Sequence, residues 1–194
     1  VNTGKPFLGI CLGMQMLFEG SVEFNSSEEG LGFIKGRVII FPKDNIRLPH
    51  IGWNEIHEPV SGRWKGTLLD HELIKEGNDV YFVHTFVGKP TDESVILTLT
   101  EYEGVKFCSS VHQDNIYGMQ FHPEKSANLG AEILKKFVEY YVDLIIVRSE
   151  CHKQLLEEFV SIPIYKFFDY EINFVDAPTR ITNPKDVYTI GYHG

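Results

Sequence analysis

Gly9-Ile10-Cys11-Leu12-Gly13-Met14-Gln15 is the stretch that orders the rest of the chain. The apolar run Pro6–Ile10 leading into it predicts a short buried strand, and Leu12–Phe18 predicts the first turns of a helix. Cys11 stands at the joint, with a glycine two residues to either side. G-x-C-x-G is the thiol form of the nucleophile elbow, in which a sharp strand-to-helix turn lifts one side chain into an open cleft. The flanking glycines let the backbone bend and a substrate approach. The positive end of the helix dipole beneath the sulfur favours the thiolate, the form that attacks.

The bulk properties bound the alternatives. With 194 residues, 43% of them hydrophobic and 23% charged, the chain has room for one domain with a sizeable core. The net charge is -9 and no block of Lys and Arg occurs, which excludes nucleic acid as the main partner. No apolar run approaches a membrane span, and no signal-peptide pattern is visible. Cys11, Cys108 and Cys151 are odd in number and widely spaced, which suits a reducing, cytoplasmic setting and argues against a disulfide framework or a zinc site. Gly30-x-Gly32 is not followed by a phosphate-loop pattern, which argues against nucleotide binding there, and no metal or other cofactor is expected. A parallel α/β sheet needs strands on both sides of the one that carries the elbow, so further strands are expected N-terminal to Val1.

Beyond the elbow, Phe24–Gly32 reads as an acidic surface loop and Gly36–Phe41 as a strand. Pro49-His50-Ile51-Gly52-Trp53-Asn54 reads as a loop, and Leu68–Ile74 carries a short helical pattern. Val80–Phe86 is rich in strand-forming residues. Val95–Tyr102 and Val105–Val111 form an expected hairpin around Glu103-Gly104, and Ile116–Phe121 a further strand. Leu129, Ile133, Phe137 and Tyr141 recur every four residues, with Leu134 and Val138 widening the stripe. That is a core-facing helix, with Ser126 as its N-cap. Residues 1–142 are therefore read as one domain and 143–194 as a separate, α/β-like C-terminal segment. In that segment Leu144–Val147 suggests a strand and Glu150–Val160 a helix.

Cys11 needs a base, and histidine is the usual one. Of the eight histidines, His122 differs by context: it follows a strand, precedes Pro123, and has Glu124 two residues on. A carboxylate beside an imidazole fixes its tautomer and stabilises the imidazolium, so Cys11, His122 and Glu124 make a candidate triad. His50 and His84 read as structural or pocket-wall residues. His57, His71, His112, His152 and His193 have no sequence neighbours that suggest chemistry. Cys108 reads as core packing, and Cys151 as inert on a tail helix.

GICLGMQ, PHIGWNE, VYFVHTF and GMQFHPEKS, in that order, resemble the class I, triad-type glutamine amidotransferases, over roughly residues 4–141. PHIGWNE and VYFVHTF narrow the likeness to the glutaminase subunits of imidazole glycerol phosphate synthases, which serve histidine biosynthesis. The resemblance implies a flavodoxin-like α/β fold, here without its N-terminal strands or the Gly-rich loop that supplies one oxyanion donor. It implies that Cys11 attacks the side-chain amide of L-glutamine, that His122 carries the proton, and that Glu124 orients His122. The Leu12 N–H would hold the oxyanion, and Gly13, Gln15, Thr85 and Phe86 would line the glutamine pocket. Ammonia would pass to a cyclase partner of the (β/α)8-barrel type in a heterodimer, with His50, Trp53 and Lys125 near the junction.

Three other readings stand beside this one. The same chemistry could serve amination of surface-polysaccharide sugars. The chain could be a non-catalytic fragment that only docks on a synthase. A Cys–His peptidase on the same kind of sheet is the third, and Gln15 and PHIGWN argue against it.

Overall fold

The computed structural model describes residues 6–22, 28–42 and 46–141, and three short strands farther on. In chain order, β1 (Phe7–Ile10) leads through Cys11 into α1 (Leu12–Met16), followed by β2 (Phe18–Ser21), β3 (Glu28–Glu29) and β4 (Ile34–Ile40). Next come β5 (His50–Ile56), β6 (Asn78–His84), β7 (Phe86–Pro90), β8 (Ile96–Tyr102), β9 (Val105–Gln113) and β10 (Ile116–Met119). A 3-10 turn at Pro123–Lys125 precedes α2 (Ala127–Tyr141). The remaining strands are β11 (Ile145–Val147), β12 (Ile164–Lys166) and β13 (Tyr188–Thr189).

The chain divides into two compact units, Val1–Ile133 and Leu134–Gly194. In the first, an eight-stranded sheet runs β1-β10-β9-β7-β4-β2-β3, with β8 paired to β9 off this path, and β5 and β6 form a separate ribbon. In the second, β12, β11 and β13 pair in parallel. The eight-stranded sheet is mixed. β1 and β10 are parallel, as are β2 and β4, and the other pairs are antiparallel.

The parallel pair β1–β10 positions the site. Gly9 lies opposite Gly118 and Ile10 opposite Met119. The Cys11 N–H then donates to the Met119 carbonyl at 2.7 Å, carrying the pairing one residue past the strand. Two parallel strands end at the same sheet edge, so Cys11 and the residues after Met119 emerge together, at the carboxyl ends where α/β sheets bind ligands. The core beneath is Met14, Leu17, Phe18, Ile34, Val38, Val111 and Ile116. α1 lies close on the sheet because Gly118 is bare: a Cβ there would stand 2.8 Å from Met14 Cγ and from Val111 Cγ2.

Several local expectations are corrected. The helix after the elbow ends at Met16, not Phe18. The Leu17 N–H turns back to the Met14 carbonyl, the Leu17 carbonyl accepts from Ile34, and β4 thereby draws Phe18 into the sheet. The acidic loop contains β3, two residues paired to β2. Leu68–Ile74 is a run of turns, closed by Asp70 N–H to Thr67 O and Ile74 N–H to His71 O, and not a helix. PHIGWN is a strand from His50 on, since His50–Ile56 pairs residue for residue with β6.

The β-rich run at 80–86 is two strands in two different sheets, broken at Thr85. The 96–113 hairpin forms as expected, with Glu103 (φ 51) and Gly104 (φ 77) supplying the positive φ pair of a tight turn. In α2, Ile133, Phe137 and Val138 are buried as the four-residue stripe requires. The expected helix at Glu150–Val160 lies outside the described residues. No described helix is long and apolar enough to cross a membrane.

Candidate active site

Cys11 has φ 52 and ψ −105, a left-handed conformation that strains a side-chain-bearing residue and persists only where its surroundings enforce it. The enforcement is local. Its N–H is held by Met119, and its carbonyl accepts from the Gln15 N–H at 3.2 Å. Gly9 is required because a Cβ there would meet the Gly13 carbonyl oxygen at 2.5 Å. Gly13 is different: nothing lies within 4 Å of where its Cβ would be. The second glycine of the elbow keeps space open, and the first permits close packing. The half-buried thiol donates to the Val83 carbonyl at 3.8 Å and receives the Gln120 side-chain N–H at 3.7 Å.

His122 is docked on β6. Its N–H donates to the Tyr81 carbonyl at 2.8 Å. The Ser126 hydroxyl donates to the His122 carbonyl at 2.6 Å and accepts the Tyr81 N–H at 3.0 Å. Ser126 therefore clamps the histidine turn to β6 with its side chain, while its carbonyl takes the helical bond from Gly130. The imidazole Nδ1 donates to Glu124 Oε1 at 2.6 Å, which fixes the tautomer and leaves the Nε2 lone pair to accept a proton. Nε2 is buried and makes no hydrogen bond of ordinary geometry. The Cys11 thiol, first, and the Glu124 carboxylate, second, push the imidazolium up to about 9 against the opposing effect of burial. An imidazolium stabilised by a cysteine sulfur and a carboxylate together is the arrangement expected of a Cys–His–Glu triad.

The point where the chain leaves β6 for β7 lies next to these residues. Gln15 Nε2 donates to the Phe86 carbonyl at 3.1 Å and to Gln120 Oε1 at 3.0 Å. Thr85, half-buried, sits at the break between the two strands. The structure thus gathers Cys11, Gln15, Thr85, Phe86, His122 and Glu124 at one sheet edge. The Leu12 side chain is exposed, and its backbone N–H stands in the first turn of α1, where helices leave donors without partners.

The three residues expected near a junction separate. Trp53 is 52% exposed and meets Tyr81 edge-on, with ring centroids 6.1 Å apart. Lys125 is exposed in the 3-10 turn. His50 is buried, stacked on Tyr102 at 3.9 Å and on Phe82 at 4.8 Å, because alternation along β5 turns it inward. His84 Nδ1 donates to the Phe86 carbonyl, so its Nε2 accepts from His50 Nδ1 at 3.1 Å, and both rings are neutral. Burial pushes His50 down to about 4 and His84 down to about 3.

The remaining histidines have partners that sequence spacing did not reveal. His57 lies between Glu76 (2.8 Å) and Glu55 (3.3 Å), and His71 is 3.8 Å from Glu132. His112 Nε2 pairs with the Asp114 carbonyl. Cys108 is buried, its thiol pushed up to about 12 by that burial, which is the core role expected of it. Cys151, His152 and His193 lie outside the described residues. Gln120 and Ser126 are the site residues that sequence reasoning missed. A glutamine closing an apolar strand directly before Phe-His-Pro was the available signal for the first.

The sequence profile of the class-I glutamine amidotransferases matches residues 1–140. The chain belongs to that family. Within it, the chain is 48% identical over 138 residues to imidazole glycerol phosphate synthase subunit HisH of Pyrococcus furiosus, covering 71% of this chain and 66% of that one. It is 47% identical over 137 residues to the HisH subunit of Aquifex aeolicus (71% and 62%), and 43% over 143 residues to that of Geobacter metallireducens (71% and 64%). The chain thus spans 62% to 66% of the length of these curated relatives. Its α/β architecture, with the elbow on β1, is that of a class-I amidotransferase.

Proposed function

We propose that residues 1–142 act as a glutaminase that supplies ammonia to a synthase partner. Cys11 transfers its thiol proton to His122 Nε2 and attacks the side-chain carbonyl carbon of L-glutamine. The tetrahedral oxyanion is held in part by the Leu12 N–H. His122 returns the proton to the nitrogen, the C–N bond breaks, and ammonia leaves a glutamyl thioester. Water, activated by His122, then cleaves the thioester to glutamate and restores the thiol. Glu124 holds the imidazole in the tautomer that both steps need. Gly13, Gln15, Thr85 and Phe86 line the substrate pocket.

The observation that carries this reading is the His122 Nδ1–Glu124 contact at 2.6 Å, with Nε2 left to serve the strained Cys11. The likeness to imidazole glycerol phosphate synthase subunits supports histidine biosynthesis as the setting, and the widely spaced, odd-numbered cysteines suit the cytoplasm. A (β/α)8-barrel cyclase that closes the imidazole ring is then the partner in a heterodimer. Trp53 and Ile51, exposed on one face of β5, and Lys125 form the docking face, with buried His50 supporting it from beneath. The test is glutamate release with the partner present. Cys11→Ala is expected to abolish it, and undiminished release would remove the assignment.

A further inference from the structure

Gln120 is wholly buried, and none of the steps above uses it. A buried carboxamide must place both its oxygen and its nitrogen, and the two are told apart only by the partners around them. Here one partner is unambiguous. The Phe86 carbonyl can only accept, so the Gln15 group 3.1 Å from it is the NH2 end. The same nitrogen lies 3.0 Å from Gln120, which must therefore present its oxygen there. That leaves the Gln120 NH2 facing Cys11 Sγ at 3.7 Å. The orientation is thus dictated from Phe86 through Gln15 to Gln120, and the chain ends in a donor aimed at the sulfur. The backbone N–H of Gln120 donates to Ser109 at 2.9 Å, which anchors the residue independently of its side chain.

The other polar neighbour of the sulfur works in the opposite sense. The Val83 carbonyl accepts from the thiol at 3.8 Å, which favours the protonated form. Once the proton has passed to His122, a carbonyl facing the sulfur is unfavourable and an N–H facing it is favourable.

We propose that Gln120 is a positioning residue for the nucleophile, its amide N–H holding the Cys11 sulfur as thiolate in an orientation set by Gln15 and the Phe86 carbonyl. Gln15 thereby has a second role. Both its amide N–H donors are committed to this chain, so what it offers a substrate is its carbonyl oxygen.

The inference rests on Cys11 being the nucleophile but not on what it attacks, so the test avoids glutamine. The pH dependence of iodoacetamide alkylation is followed at the Cys11 peptide by mass spectrometry on the full chain, with thermal melts as a fold control. Gln120→Met keeps the volume and removes the donor. The midpoint of its alkylation profile is expected to rise by about one pH unit, so that alkylation below the midpoint slows roughly tenfold. Gln120→Glu, which turns an acceptor on the sulfur, is expected to rise at least as far. A folded Gln120→Met variant with an unchanged profile overturns the proposal, whatever the glutaminase assay reads.

Should neither variant fold, the wild-type protein decides. The Gln120 side-chain amide proton resonance is expected to move as Cys11 is titrated and to stop moving in Cys11→Ala. An amide resonance indifferent to Cys11 overturns the proposal.

Discussion

Replacing Glu124 by glutamine removes one of the two groups that hold the proton on His122. The imidazolium is pushed up to about 9 by the Cys11 thiol and by Glu124, so its titration should fall toward the ordinary value in Glu124→Gln, and further when Cys11→Ser is added. Imidazole NMR on the two variants checks both steps. Because an imidazolium is needed to protonate departing ammonia, the alkaline limb of the glutaminase profile should move down in the same direction, with kcat lowered about 10²–10⁴-fold. A titration unmoved in Glu124→Gln would mean that the contact at 2.6 Å carries no charge stabilisation. At this scale the sequence was largely legible. Cys11, His122 and Glu124 each stand in a short motif whose chemistry requires that residue type. Gln120 and Ser126 were not legible, because what makes them matter is a contact across more than forty positions, Gln120 to Gln15 and Ser126 to Tyr81.

The elbow as an element depends on its two glycines unequally. A methyl on Gly9 would run into the Gly13 and Met14 backbone, which α1 cannot move without losing its seat on the sheet. Gly9→Ala should therefore lower the melting temperature and abolish Cys11 alkylation. Gly13→Ala meets nothing and should leave stability within about 0.5 kcal/mol, its effect confined to glutamine KM. Thermal melts on both variants test the contrast, and equal losses would contradict it. Both glycines look alike in the pattern G-x-C-x-G, and only the packing separates them. The same limit explains the misread elements. PHIGWN reads as a loop because Gly52 and Asn54 are poor strand formers, yet seven consecutive pairings with β6 override that. Val80–Phe86 reads as one strand because nothing in its composition marks Thr85 as the point where the chain changes sheets.

At the scale of the molecule, the buried pair His50 and His84 adds to the response to acid. His50 and His84 titrate near 4 and 3 in the fold and near the ordinary value when unfolded. Between about pH 6.5 and those values the unfolded chain binds more protons, so stability falls as pH is lowered through that window, by at most about 1.4 kcal/mol per pH unit for each histidine. His122 has the opposite sign: its contribution is complete below about pH 6.5 and is lost as pH rises toward 9. Denaturant melts at pH 6.5 and 4.5 should show a smaller acid loss in His84→Gln than in the wild type. An equal loss would mean that the pair is not what the acid acts on. The sequence placed His84 and His50 among structural residues, but the carbonyl of Phe86 that fixes both tautomers could be found only in three dimensions.

The central claim is that Cys11 is activated by His122, and an affinity label tests it most directly. A chloroketone analogue of glutamine, incubated with the full chain and mapped by peptide mass, should modify Cys11 and spare Cys108 and Cys151. Labelling at Cys11 should fall at least 10²-fold in His122→Ala. Label spread over all three cysteines, or a Cys11 rate unchanged in His122→Ala, would contradict the account.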